Sequence, residues 1–124
     1  MTPQEAYRKA TSSGKRLPEL EDIILTSPLF SCCYARDIIK GRWTELEDII
    51  MTSSWSSYLY ALNVVEGRWI EAEDIIMTDS YTAYYYALNV IKGKLPDKMH
   101  NMMILYAIKD LDIYVEAYFE YTSK

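Results

Sequence analysis

Histidine occurs once, cysteine twice, and glycine and proline four times each in this chain. Each scarcity excludes something. The single His100 has no cysteine or second histidine near it in sequence. A nucleophile–histidine system or a histidine-based metal site therefore has little to draw on, and His100 reads as a surface or helix-end residue. Cys32 and Cys33 are adjacent. Sequence neighbours rarely form a structural disulfide, so they read as two reduced thiols of a cytosolic protein. There is no Gly-rich phosphate loop, no His-x-x-x-His pair and no G-x-S-x-G elbow. Uncharged apolar runs stop after a few residues, as at 104–108, whereas a membrane-spanning helix needs about 20. Residues 1–5 lack the basic start and apolar stretch of a signal peptide. The expectation is a cytoplasmic chain with no membrane partner.

What remains is an ordinary globular composition. Half of the 124 residues are hydrophobic and 25% are charged, which excludes disorder and fits one domain. The net charge is −5, from 18 acids against 13 bases. That argues against nucleic acid as a direct partner, because phosphate binding needs a positive surface.

The strongest signal is an internal repeat. Glu21-Asp22-Ile23-Ile24 recurs as Glu47-Asp48-Ile49-Ile50 and as Glu73-Asp74-Ile75-Ile76, at an offset of 26 residues each time. Gly41-Arg42-Trp43 recurs as Gly67-Arg68-Trp69, and Tyr34-Ala35 as Tyr60-Ala61 and Tyr86-Ala87. Copies fade at both ends, as expected of a solenoid whose terminal units face water. The division is a half-repeat over 1–14, repeats over 15–40, 41–66 and 67–92, and a C-terminal cap over 93–124 that opens as a degenerate fourth copy at Gly93-Lys94-Leu95-Pro96.

Each copy reads as two short helices. Acids crowd the first turn of the first helix (Glu45, Glu47, Asp48 in the second copy) and complement its dipole. On this reading they are exposed, with Arg16, Arg42 and Arg68 contacting that turn or a backbone carbonyl. Leu46, Ile49 and Ile50 form one apolar stripe. The second helix begins after Ser27, Ser53 or Asp79, good N-cap types. It ends before Gly41, Gly67 or Gly93, where a left-handed residue is expected. Ser31/Ala35/Ile38, Ser57/Ala61/Val64 and Ala83/Ala87/Val90 mark its packed face. Trp43 and Trp69 read as buried between successive pairs. At the ends, Thr2-Pro3-Gln4-Glu5 is a capping box, and a break near 110–112 separates two last helices. No segment has strand periodicity or a hairpin turn pair. The fold class is all-α, a small α-solenoid or antiparallel helical stack.

Gly67-Arg68-Trp69-Ile70-Glu71-Ala72-Glu73 and Tyr86-Ala87-Leu88-Asn89-Val90-Ile91-Lys92-Gly93 resemble short helical repeats in proteins of tailed bacteriophages and some large viruses. The resemblance spans about residues 14–96. Leu17 and Leu95 replace its tryptophan, and Cys32 and Cys33 depart from its pattern. It carries no catalytic motif or cofactor. It implies a virus-encoded protein acting inside an infected cell.

The Glu/Glu/Asp clusters are the tempting chemical site, since paired carboxylates can hold a metal or act as acid and base. They recur once per copy with an arginine nearby, which favours helix-dipole complement and ion pairs over an enzyme; neither metal nor cofactor is expected. The alternative signal lies where copies differ. Leu29, Phe30, Cys32 and Cys33 become Trp55, Tyr58 and Leu59, then Tyr81, Tyr84 and Tyr85. Variable positions on a fixed frame carry a repeat protein's specificity, and Tyr and Trp are common interface anchors. Tyr58 and Tyr84 suit core or interface equally. Trp55, Tyr81 and Tyr85 fall outside the packed stripe, and Tyr85 and Leu59 lie on the side away from it. The expected function is binding and inhibiting or redirecting a host protein, such as a nucleic-acid-binding or antiviral-defence component in the manner of an anti-CRISPR protein. The alternatives are a self-assembling viral accessory that forms homo-oligomers, and a nucleotide binder using Arg36, Lys40, Lys92 and Lys94 for phosphate.

Overall fold

The computed structural model describes all residues, 1–124, and is all-α with no strand. Nine α-helices follow in order: α1 (Pro3–Ser13), α2 (Pro18–Ile24), α3 (Pro28–Tyr34), α4 (Glu47–Ile50), α5 (Ser54–Tyr60), α6 (Glu73–Ile76), α7 (Ser80–Tyr86), α8 (Asp97–Lys109) and α9 (Ile113–Thr122). They form a two-layer stack. Helices α1, α3, α5, α7 and α9 pack in succession, and each of α4 and α6 packs against the odd-numbered helices on either side of it.

Local chemistry sets the boundaries. Thr2 and Glu5 close the capping box at 3.1 Å in each direction. Ser27, Ser53 and Asp79 cap α3, α5 and α7 through the backbone N–H three residues on. Helices α4 and α6 each start with a single 3-10 turn, Thr44–Leu46 and Ile70–Ala72. In α2, Pro18 instead opens a continuous helix.

One recurring arrangement holds each unit. In the second, the Trp43 N–H donates to the Tyr60 hydroxyl at 2.9 Å, and that hydroxyl donates to Glu47 at 2.6 Å. Arg42 clamps the same carboxylate bidentately at 2.9 and 2.8 Å. The first unit repeats this with Leu17, Tyr34, Glu21 and Arg16, the third with Trp69, Tyr86, Glu73 and Arg68. The acids were expected to be exposed; Glu21, Glu47 and Glu73 are instead 9%, 8% and 7% exposed. The cause is this clamp, which supplies three donors to a carboxylate that would be costly to bury alone. Glu19, Asp22, Glu45, Asp48, Glu71 and Asp74 do lie in solvent.

Between units, Trp43 packs on Tyr34 with ring centroids 5.3 Å apart, and Trp69 packs on Tyr60 at 4.8 Å. Both tryptophans are buried, as are Ser31, Ala35, Ser57, Ala61, Ala83 and Ala87 of the packed stripe. Leu46 and Ile50 are buried, but Ile49 is exposed, because α4 is a single turn that presents only one narrow face.

Two sequence expectations need correction, the left-handed step and His100. The left-handed residues are Lys40, Glu66 and Lys92, at φ of 60–61°, one position before the glycines. Each follows a π-turn, Ala35–Ile39, Ala61–Val65 or Ala87–Ile91. In the π-turn the N–H reaches back five residues, for instance Lys40 to the Ala35 carbonyl at 2.7 Å. That wider turn brings the left-handed step one residue early. The segment over 93–124, where the sequence shows a degenerate fourth copy, is built like a further unit. The Leu95 N–H donates to the Tyr118 hydroxyl at 3.0 Å, as Trp43 does to Tyr60. Met99 stands where the carboxylate was, and His100 Nδ1 meets the Tyr118 hydroxyl at 2.6 Å. The second correction follows: His100, read as a surface or helix-end residue, is in the first turn of α8 but half-buried, packed against Tyr118 and Phe119. Burial and nearby Lys94 hold its pKa below the ordinary value.

Candidate functional site

The variable positions come together. Each N-cap places its second following residue at one register of the odd-numbered helices. Ser27, Ser53, Asp79 and Asp112 thus position Leu29, Trp55, Tyr81 and Tyr114. Because these helices stack side by side, the residues form a column across the molecule. Tyr58 and Tyr84 lie one turn on, and Leu59 and Tyr85 follow them.

Trp55 and Tyr81 stack with centroids 4.9 Å apart and planes 16° from parallel. Trp55 also meets Tyr58 at 4.8 Å, and the edge of Tyr85 at 6.0 Å. Tyr85 packs edge-on to Tyr81 and Tyr84 at 5.7 and 5.2 Å. Tyr114 closes the far end, 5.2 Å from Tyr81. Aromatic pairs of this kind contribute about 0.5–1.5 kcal/mol each beyond area burial, so the rings hold one another rigidly.

Burial sorts them. Tyr58 is core: it is buried, and its hydroxyl accepts from Asn89 Nδ2 at 2.8 Å. Trp55, Leu59, Tyr81, Tyr84, Tyr85 and Tyr114 are half-buried. The expectation that Trp55, Tyr81 and Tyr85 stand apart from the packing, and that Leu59 and Tyr85 point away from it, therefore needs correction. Their flanks are covered by neighbouring rings and core, and only part of each side chain meets water. No hydroxyl of Tyr81, Tyr84, Tyr85 or Tyr114 is among the buried polar atoms lacking a partner. These hydroxyls are open to water. Burial among the rings and the charge of Asp79 raise the Tyr81 pKa, so that hydroxyl is a protonated donor at neutral pH.

Sequence reasoning missed Tyr114. The signal was present: Asp112 followed two residues later by an aromatic repeats the Asp79–Tyr81 spacing. The longer α8 displaces it from the 26-residue register.

The remaining candidates are occupied or scattered. Arg36 is paired with Asp37 at 2.8 Å. Burial pushes the Cys32 thiol up to about 12, and the Cys33 thiol is also raised. No three His, Cys, Asp or Glu side chains converge as a metal site. The largest concavity, about 280 Å³, lies between α6 and α8 beside Met77, Met99, Met102 and Tyr106, away from the aromatic column. No helix is long and apolar enough to cross a membrane. No family model, curated protein or solved structure matches this chain.

Proposed function

We propose that the chain is a non-enzymatic protein-binding module whose aromatic column grips a partner protein. The observation that carries this reading is the composition of the column. Six rings from three stacked helices sit at the positions that vary between copies, and four of them turn hydroxyls to water. Rigid tyrosine and tryptophan side chains supply large contact area at little entropic cost, and their hydroxyls supply hydrogen bonds at the rim. The exposed acids on the first helices and the net charge of −5 favour a basic partner surface. The repeat's resemblance to viral proteins makes a host protein the partner, inhibited or redirected inside an infected cell.

The test is affinity capture from host lysate, with the captured protein identified and its affinity then measured. Tyr81→Ala with Tyr85→Ala should weaken that affinity at least tenfold, while Tyr81→Phe with Tyr85→Phe keeps the rings packed and loses only hydroxyl contacts. Unchanged affinity in the folded double alanine variant would remove the column from the interface.

A further inference from the structure

The two ends of the stack differ in a way that bears on assembly. At the N-terminal end, the outer surface of α1 is polar, with Arg8, Lys9, Thr11 and Ser12 exposed. It is the water-facing cap that a helical stack needs. At the C-terminal end α9 carries exposed Glu116 and Glu120, but the adjoining last turns of α8 and the α8–α9 connection are apolar on their outer surface. Ile104, Leu105 and Ile108 line the outer face of α8, and Leu111 and Ile113 continue the surface into α9. All five are 40–78% exposed. Ile104, Leu105 and Ile108 lie on the last turns of α8, a helix of 13 residues where α6 has 4.

The patch has the scale of an interface. Five such side chains leave on the order of 500 Å² of apolar surface in water, near the upper end for an ordinary monomer. A stable interface buries about 800 Å² per partner, a little over half of it apolar. The patch alone supplies that apolar share. Lys109 and Asp110 are both exposed at its edge, so the patch carries on its own rim both charges that a two-fold contact can pair.

We propose that this end is an isologous dimer interface, in which the patch of one chain packs on the same patch of a second copy. The polar α1 end offers no matching apolar surface, so head-to-tail growth is disfavoured and assembly closes at two chains. The proposal does not depend on the aromatic column, whose Trp55, Tyr81, Tyr84 and Tyr85 lie on α5 and α7 rather than on α8 and the start of α9.

Sedimentation equilibrium of the full chain, from submicromolar to about 100 μM, tests it. The expected mass rises from one chain to two and stops there. Ile108→Glu should raise the dissociation constant at least tenfold with the helical spectrum unchanged. Leu105→Ser serves as a second variant should the first perturb folding. Trp55→Ser should leave the dimer intact. A wild-type chain that stays at 14.5 kDa throughout would overturn the proposal. So would growth beyond two chains, an Ile108→Glu or Leu105→Ser dimer as tight as wild type, or dissociation caused by Trp55→Ser alone.

Discussion

The Tyr60 hydroxyl bridges two parts of its unit, donating to Glu47 at 2.6 Å while it accepts the Trp43 N–H at 2.9 Å. Tyr60→Phe keeps the ring and removes the bridge. It orphans a buried backbone donor and takes one donor from a buried carboxylate. The expected cost is about 1–3 kcal/mol, read as a lower melting temperature with an unchanged helical spectrum. A melt identical to wild type would mean that water replaces the hydroxyl at no cost.

Acid should loosen the same clamp. The bidentate arginine, with help from the tyrosine hydroxyl, holds the pKa of Glu21 and Glu47 below the usual carboxylate value. Their folded pKa lies below the unfolded value of about 4.3. The stability they contribute is therefore complete above that pH and is lost as pH falls through it toward the folded value. His100 acts earlier: its lowered pKa means stability erodes as pH drops below about 6.5. Melting temperatures from pH 7 to 3 should show a shallow early decline, removed by His100→Gln, and a steeper one below about 4.5. The steeper decline should be reduced in Glu47→Gln. A carboxylate merely facing the helix dipole would change stability by about 0.3–1 kcal/mol on neutralisation. Glu47→Gln should exceed that at pH 7.

Trp69 is 1% exposed and packs on Tyr60 of the preceding unit. Trp69→Ala should cost roughly 3–5 kcal/mol, enough to lower the melt markedly in calorimetry. An unshifted melt would contradict its burial.

The left-handed residues offer a sharper test. Glu66 sits at φ 60°, a conformation that costs a side-chain-bearing residue about 1–2 kcal/mol. Glu66→Gly should therefore leave stability unchanged or raise it. Gly67 has no positive φ, and a Cβ there meets nothing within 4 Å. Gly67→Ala should be neutral or stabilise by up to about 1 kcal/mol. Chemical denaturation of both variants checks the pair. A destabilising Gly67→Ala beside a destabilising Glu66→Gly would place the left-handed step at the glycine.

The sequence made the period, the N-caps, the buried tryptophans and the all-α class legible because each leaves a mark at fixed spacing. It hid the burial of Glu21, Glu47 and Glu73 because three acids share each first turn and composition treats them alike. Only the arginine five residues before and the tyrosine thirteen after single one out. The early left-handed step was hidden for a different reason. A π-turn is a backbone choice, and Ala35, Ala61 and Ala87 do not announce it. The binding positions were located by their variation, but their degree of exposure depends on rings in neighbouring helices, which no single copy reveals.

Every group in the Arg–Glu–Tyr–N–H clamp comes from the same 26-residue unit. Each unit's tryptophan meets the previous unit's tyrosine, whichever unit that is. An in-frame gain or loss of 26 codons between matching points would thus leave every clamp whole and re-form the same junction. Gene recombination can lengthen or shorten this molecule while keeping its clamps and its tryptophan–tyrosine junction, and each added copy brings a fresh set of column residues for selection to vary.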